Sequence, residues 1–398
     1  MTDTARDNVA AALEQDAPRI ESHLNPPPSY DLTDHPAPTG REEIWRFTPL
    51  KRLRGILDGD ASSASLTWTT SLPEGVTLTE ISAAEAVELG ELAPNDRPSA
   101  LAVANAGGAL LLDVPADVEL DEPVWLKLHG ESADDLVWGH LVVRVGRFSK
   151  ATVVLEHTGS ARYSATTTVV VGDGANANLL SLQDWDDDAV HLGRDAIRVG
   201  RDASVRHTAI SFGGNLVRMH ANVEYDGPGG QAELLGLYFA DEGQHIEHRI
   251  FADHNEPRTK SNVVYKGALQ GQGAHTVWIG NVLIRKIAEG IETYEENRNL
   301  VLTDGCQADS VPNLEIETGE IEGAGHASAT GRFDDEQLFY LRSRGISEAD
   351  SRRLVVHGFF NALIRKVGVP ELEDKLMATV EEELSKNVTA GSRLAGLG

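Results

Sequence analysis

GRFSKATV (Gly146–Val153) opens a set of four related segments, followed by GDGANANL (Gly172–Leu179), GRDASVRH (Gly200–His207) and GPGGQAEL (Gly227–Leu234). Each begins with glycine, has a small residue three positions later, and has alanine or valine two positions after that. The glycines are 26, 28 and 27 residues apart (172 − 146, 200 − 172, 227 − 200). Such a period in a strand-rich region is typical of stacked coils, in which glycine forms the corner and small side chains fill a narrow interior.

The repeat lies in a region from about residue 100 to 330 that has strand-like segments and almost no helical periodicity. A further step of about 26 residues leads to Asp253, Gly280 and Gly305, and only Gly305 resembles the pattern. A parallel β-helix fits these observations best. A β-sandwich with regularly spaced hairpins is the alternative that the pattern leaves open.

Changes in the pattern of helix-like and strand-like segments divide the chain into three regions. Residues 1–100 form an N-terminal helical and mixed region, with helical spacing over residues 7–24 and a proline-rich loop after it. Residues 101–331 form the β-helix core. Residues 332–398 form a C-terminal helical domain, in which Ser347 is a helix N-cap and Gly345 ends the preceding helix. Its amphipathic faces can pack on one another or dock a partner.

Composition excludes several classes of protein. The chain has 62 acidic and 35 basic side chains among 398 residues, and a net charge of −27 disfavours nucleic acids and anionic membranes as partners. No apolar run is long enough to span a membrane, and the N-terminus does not resemble a secretory signal. A single cysteine, Cys306, excludes a disulfide framework and is typical of the cytoplasm.

Nucleotide and metal motifs are missing from the sequence. It has no phosphate-binding G-x-x-x-x-G-K-[ST] loop, so this chain is not expected to bind ATP. A self-contained iron–sulfur or zinc site normally needs several thiolates. His248 and His254 can share a strand face, whereas His245 and His248 point to opposite faces.

Three motifs carry a resemblance to a known family: REEIWRFTPL (residues 41–50), DHNEPRTKSNVVYKGAL (253–269) and NRNLVLTDGCQADSVPNLEIETGEIEGAGHASATGRFDDEQLFYLRSRGI (297–346). With a GFF helix after them, they resemble the SufB/SufD family of SUF iron–sulfur cluster assembly scaffolds over roughly residues 40–370. WRFTPL and the scarcity of cysteine favour the SufD branch. The resemblance implies a right-handed parallel β-helix flanked by helical regions, mainly β overall, and a scaffold that is not an enzyme.

The resemblance also implies partners and a site. A SufB paralogue is expected at the β-helix, and the ATPase SufC at the C-terminal helices, where candidate contacts are Phe339, Leu341, Phe359 and Phe360. His326 matches a family histidine at the SufB interface, where the transient cluster forms, and is the candidate metal ligand. Reduced flavin is associated with the complex, although no residue pattern here indicates it.

Two positions depart from the family. Ala324 stands where some members have a cysteine, so thiolates would come from SufB. Cys306 stands where a small residue is common and is expected to be a buried structural residue. For His326, a hydrogen-bonding role across the interface is the alternative.

Other functions stay open at this point. A SufB-type subunit would need a reactive cysteine, and a carbohydrate-active β-helix enzyme would need paired acids in a solvent groove. A homodimer of this chain in isolation is a further alternative.

Overall fold

The protein is a parallel β-solenoid of about eight turns. A computed structural model describes residues 26–333 and 335–394, and the helix predicted over residues 7–24 lies outside them. The predicted parallel β-helix is therefore confirmed, and the β-sandwich is excluded because consecutive coils pair in parallel. The solenoid strands are β3 (Ala109–Val114), β4 (Val124–Val145), β5 (Lys150–Val171), β6 (Asn176–Trp185), β7 (Val190–Val199), β8 (Ser204–Gly213), β9 (Leu216–Tyr225), β10 (Gln231–Ala240), β11 (His245–His254), β12 (Lys260–Leu269), β13 (His275–Ile284), β14 (Glu292–Val301), β15 (Gln307–Ile316) and β16 (Gly323–Arg332).

Two sheets face each other across the interior. The long strands β4 and β5 contribute to both sheets, since the first half of β5 pairs with β6 and its second half with β7. From there, β6, β8, β10, β12, β14 and β16 continue the first sheet, and β7, β9, β11, β13 and β15 continue the second. Each later coil therefore contributes one strand of 10 residues to each sheet.

The repeating glycines lie where the sequence predicts them, at the corner before a strand of the first sheet. Gly146, Gly172, Gly200 and Gly227 each precede the first residue of such a strand by four positions. The continuation at the same period was wrong, because the later coils lengthen to 29, 32 and 31 residues (260 − 231, 292 − 260, 323 − 292). Asp253 and Gly280 accordingly lie within strands of the second sheet, and Gly305 lies at the opposite corner.

The N-terminal region covers the outer face of the second sheet. It contains four short 3-10 helices (Leu32–Asp34, Glu43–Trp45, Leu50–Leu53 and Ile56–Asp58), strands β1 (Thr67–Ser71) and β2 (Thr77–Ile81), and helices α1 (Ala83–Glu88) and α2 (Arg97–Asn105). Trp45 packs with Leu192 and Leu216 of the sheet. Its indole stacks on the Arg218 guanidinium, with 4.2 Å from the ring centroid to Cζ. Through the contacts of Trp45, the WRFTPL segment therefore holds this region on the solenoid.

The C-terminal helices cover the outer face of the first sheet. They are α3 (Asp335–Ser343), α4 (Glu348–Ile364) and α5 (Pro370–Leu394). As predicted, Ser347 caps α4 by accepting a hydrogen bond from the Asp350 amide, and Gly345 has a positive φ of 86° after α3. The apolar stripe of α5, which includes Leu372, Leu376 and Val380, packs on this sheet. No helix in the described ranges is long and apolar enough to cross a membrane.

The two ends of the solenoid differ. At the start, each sheet ends in an antiparallel strand, β1 beside β4 and β2 beside β3, and we call this the antiparallel end. At the other end, β15 pairs with β13 and β16 pairs with β14, and no further strand of the described chain covers their outer edges. We call these two uncovered edges, with the interior between them, the open end.

The interior of the solenoid holds buried, neutral histidines. His157 is buried and donates a hydrogen bond from Nδ1 to the Leu182 carbonyl (3.1 Å), beside Tyr163, Trp185 and His191. Burial lowers the pKa of His157 to about 4 and that of His248 to about 3. The folded state thus resists protonation of these rings more strongly than the unfolded chain does.

These histidines predict acid sensitivity. Because their folded pKa values are depressed, the stability present above the unfolded pKa of about 6.5 is lost as the pH falls toward the folded values. The free energy of unfolding of the wild type should fall between about pH 7.5 and pH 5. In His157→Gln this fall should be smaller by about 2 kcal/mol, since one pKa unit is worth about 1.4 kcal/mol. Denaturant unfolding at both pH values measures this, with His129→Gln at an exposed position as the control. Equal pH slopes for wild type and His157→Gln would contradict it.

Candidate functional site

His326 lies at the open end, in the middle of β16. Its register partner on β14 is Glu295, whose own partner on β12 is Val263 of the interior core. In-register residues of parallel strands point to the same face, so these three side chains line the interior. Val263 and Glu295 are buried, whereas His326 is exposed because no further strand of the described chain stacks on β16.

Beneath His326, β14 presents four polar side chains to the interior, and three of them, Glu295, Asn297 and Asn299, are here called the β14 row. The Tyr238 hydroxyl donates to Asn299 Oδ1 (2.7 Å) and accepts from Asn297 Nδ2 (2.9 Å). Asn299 Nδ2 donates to Asn297 Oδ1 (2.8 Å). These bonds fix the two amides, and Asn299 also reaches Thr330 of β16 (3.4 Å).

Glu295 differs from the rest of the row. It is 1% exposed, and neither carboxyl oxygen has a hydrogen-bond partner among the residues that the structure describes. Burial raises the pKa of this carboxyl to about 8. A buried carboxyl without partners is costly, which makes it unusual in a structural position.

The small residues around His326 leave space that this chain does not use. A Cβ added at Gly323 would meet nothing within 4 Å, and one added at Gly325 would only reach ordinary contact with Tyr294. Packing within the chain therefore does not require glycine here. Close approach of another molecule to β16 is sterically possible.

A hydroxyl pair links the two sheets at the open end. Ser328 Oγ donates to Ser310 Oγ (2.8 Å), which joins β16 to β15. Both strands are only partly buried or exposed along their length. Uncovered strand edges of this kind readily pair with strands of another chain.

Cys306 lies at the corner before β15, not on the strand that carries His326. Its Sγ donates to the Gly271 carbonyl (3.3 Å), and the side chain packs partly against the interior core. Burial raises the pKa of the thiol, which lowers its thiolate fraction and its nucleophilicity. The predicted structural role agrees with this environment, although the residue is partly rather than fully buried.

The predicted ATPase contacts are not brought together on one surface. Phe339 is 75% exposed on α3, where Leu341 is half-buried. Phe359 is half-buried under Lys266, whose Nζ lies 5.0 Å from the ring centroid. Phe360 departs from the prediction, because it is fully buried against the first sheet and presents no surface to a partner. Tyr340, next to Phe339 on α3, and Leu354 on α4 are also exposed, and neither was among the predicted contacts.

The described residues contain no cluster of three or more His, Cys, Asp or Glu side chains able to hold a metal ion. His248 and His254 do share the interior face, as predicted, but His254 is bonded to Thr259 (2.7 Å) and Ser261 (2.9 Å). A metal or cluster at His326 would therefore need ligands from another molecule. The open end provides the access for one.

Comparison with known proteins agrees with this architecture. A family described as "SUF system FeS cluster assembly, SufBD core domain" matches residues 128–359. An iron-sulfur cluster assembly SufBD family protein of Mycobacterium bovis is 52% identical over 364 residues, which cover 89% of this chain and 91% of the relative. A relative of the same description in Mycobacterium leprae is 50% identical over 365 residues, 90% of this chain and 93% of the relative. One in Staphylococcus aureus is 24% identical over 280 residues, 69% of this chain and 60% of the relative.

The solenoid, its open end and its helical flanks define the class as a β-solenoid protein with exposed strand edges. The chain belongs to the SufBD family of the SUF iron–sulfur cluster assembly system. The resemblance that the three sequence motifs carry is thereby confirmed at the level of the family.

Proposed function

We propose that this chain is the SufD-type subunit of a SUF assembly complex. Its open end would pair with a SufB-type paralogue, and its C-terminal helices would bind the ATPase SufC. Iron and sulfide would combine at the interface, with His326 as this chain's ligand. The observation that carries the proposal is the coincidence of the uncovered edges of β15 and β16 with the exposed His326.

The environment of Cys306 supports a SufD-type over a SufB-type role. Persulfide chemistry needs an accessible thiolate, usually with a pKa lowered by neighbouring positive charge. Cys306 has the opposite shift, and its thiol is bonded to a backbone carbonyl at a corner. Thiolates for a cluster would therefore come from the paralogue.

The carbohydrate-active alternative finds little support in the surface groove. A groove of about 1020 Å³ follows the corner along the first sheet and contains Glu233 and Glu292. Each is already in an ion pair, Glu233 with Arg206 (2.7 Å) and Lys366 (2.6 Å), and Glu292 with Lys260 (2.7 Å). Ion-paired acids of this kind are poor general acids, because the cation favours the ionised form.

Partner binding would be tested by co-expression. This chain, tagged, would be produced anaerobically with the SufB-type and SufC-type proteins of the same organism, and native mass spectra would be recorded of what co-purifies. A complex of one copy of this chain, one paralogue and two ATPase copies is expected. A chain that purifies alone or only as a homodimer would contradict the proposal.

Cys306→Ala tests the division of labour between the subunits. We expect cluster formation by the complex to be unchanged, because the thiol only packs at a corner and donates one weak hydrogen bond. Cluster content of the purified complex and denaturant unfolding measure the two effects. A loss of cluster without a loss of stability would show that this chain supplies a thiolate and would favour a SufB-type role.

A further inference from the structure

Glu295 differs from the other buried acids of the protein in its lack of hydrogen-bond partners among the described residues. Other buried acids in the interior and on the sheet faces have partners: Asp195 accepts from His207 Nε2 (2.9 Å), and Glu247 lies 3.2 Å from Arg249. Both oxygens of Glu295 lack a hydrogen-bond partner within the described ranges, although the residue is as deeply buried as either of them. A native protein rarely keeps such a group without a bound species to satisfy it.

The position of Glu295 relates it directly to the open end. It lies one strand inside His326, in register and on the same face. Neighbouring strands are about 4.8 Å apart, so a flexible glutamate and the imidazole above it can approach one ion. His326 faces solvent at the open end, which gives that ion a route of entry.

The opposite sheet provides room for the carboxyl. On β13, a Cβ added at Gly280 would lie 2.5 Å from Glu295 Oε1 and 2.4 Å from the Trp278 ring. Any side chain at position 280 would therefore displace the carboxyl. Glycine at this point keeps Glu295 in a defined place beneath the open end.

We propose that the Glu295 carboxylate is a second ligand from this chain for the iron ion that His326 binds. The inference rests on the proposed function and deepens it by assigning the inner half of the iron site.

The ligand chemistry agrees with this assignment. Imidazole and carboxylate together are a common donor set for ferrous iron, and a pair leaves coordination positions open for sulfide or for thiolates of a partner. Asn297 and Asn299 are occupied by their bonds to one another and to Tyr238, so they leave Glu295 as the available oxygen donor of the β14 row.

Ferrous iron alone, under anaerobic conditions, is the probe. Its binding would be measured by equilibrium dialysis for the full-length chain and for the co-purified complex, comparing wild type with Glu295→Gln and His326→Ala. Glu295→Gln should weaken binding about tenfold or more, as should His326→Ala, and the double variant should lose little more than either. Glu292→Gln, on the same strand but in an exposed ion pair, is the matched control and should bind as wild type.

Gly280→Ala tests the geometry without removing a ligand. It should also weaken iron binding, because the added methyl displaces the Glu295 carboxyl. Thermal unfolding of each variant distinguishes a lost ligand from a lost fold, and Glu295→Gln should be about as stable as wild type because it replaces one buried polar group without partners by another of nearly the same size.

Iron binding by Glu295→Gln that equals wild type in both the chain and the complex would overturn the inference. The proposed function fails separately, if no complex with the SufB-type and SufC-type partners forms. Glu295-dependent iron binding by the chain without such a complex would support the site and reject the assembly role.

Discussion

Replacing His326 by alanine is expected to lower the cluster formed per assembled complex by about tenfold or more, as removal of a metal-site group typically does. The side chain is exposed on the last strand, so its removal should leave the packing of the solenoid unchanged, and pairing of strand edges through backbone hydrogen bonds does not depend on it. Iron and sulfide content and visible absorption of the anaerobically purified complex measure the loss.

His129→Ala is the matched control for that experiment. His129 is also an exposed histidine, but it lies on β4 at the antiparallel end and bonds to Thr158 (3.0 Å). Its replacement should leave cluster formation at the wild-type level. If His326→Ala assembles clusters normally, the histidine only bonds across the interface, and the proposed iron site at the open end is wrong.

Replacing Glu247 by leucine should lower the free energy of unfolding by about 3–5 kcal/mol, the usual cost of leaving a buried charge unpaired. Its carboxylate lies 3.3 Å from Arg218 Nε and 3.2 Å from Arg249 Nη1, and it accepts from the Thr48 hydroxyl (2.7 Å). The two guanidinium groups are themselves buried. Thr48 and Trp45 both belong to WRFTPL, so the N-terminal region should also detach more easily.

The charges of this network explain why removing one of its members lowers the free energy of unfolding. Burial alone would raise the pKa of Glu247, but the His245 hydrogen bond and the charges of Arg218 and Arg249 outweigh it and hold the pKa well below its usual range. Arg218 keeps Asp96 (3.1 Å) when Glu247 is removed, whereas no other acid is in an ion pair with Arg249 in the described part of the chain.

Glu292→Leu is the comparison for this effect. Glu292 is paired with Lys260 on the surface, where both side chains are more than half exposed. Solvent screens such pairs, so no measurable change in stability is expected. Denaturant unfolding and limited proteolysis of the N-terminal region measure both variants. A Glu247→Leu protein as stable as Glu292→Leu would contradict the predicted role of Glu247 in holding the N-terminal region on the solenoid.

The architecture of the early coils could be predicted because its signals lie close together in the sequence. Glycine at each corner and small interior residues recur at nearly constant spacing from Gly146 to Gly230, and no distant contact is needed to recognise them. The later corners at residues 256, 288 and 319 lie in longer coils, and only the last of them has the glycine at this point. Strand pairing tolerates such insertions, so the period fails while the fold continues.

The inner half of the candidate site could not be predicted in the same way. ETYEENRNLV (residues 292–301) does alternate polar residues at 295, 297 and 299, which was the available signal, but acids and amides on a strand usually face solvent. Only the register with β12 and β16 places them inside. Similarly, WRFTPL could be recognised as a family motif, whereas its role depends on Arg218 and Glu247, which are distant in sequence.

Amide hydrogen exchange of this chain, alone and in complex with its SufB-type paralogue, tests the pairing of the open end most directly. We expect strong protection on complex formation in β15 and β16, because their free edge amides would become hydrogen-bonded to the partner's strands, and little change in β1 to β3 at the antiparallel end. Unchanged exchange in β15 and β16, with protection appearing elsewhere, would contradict the account.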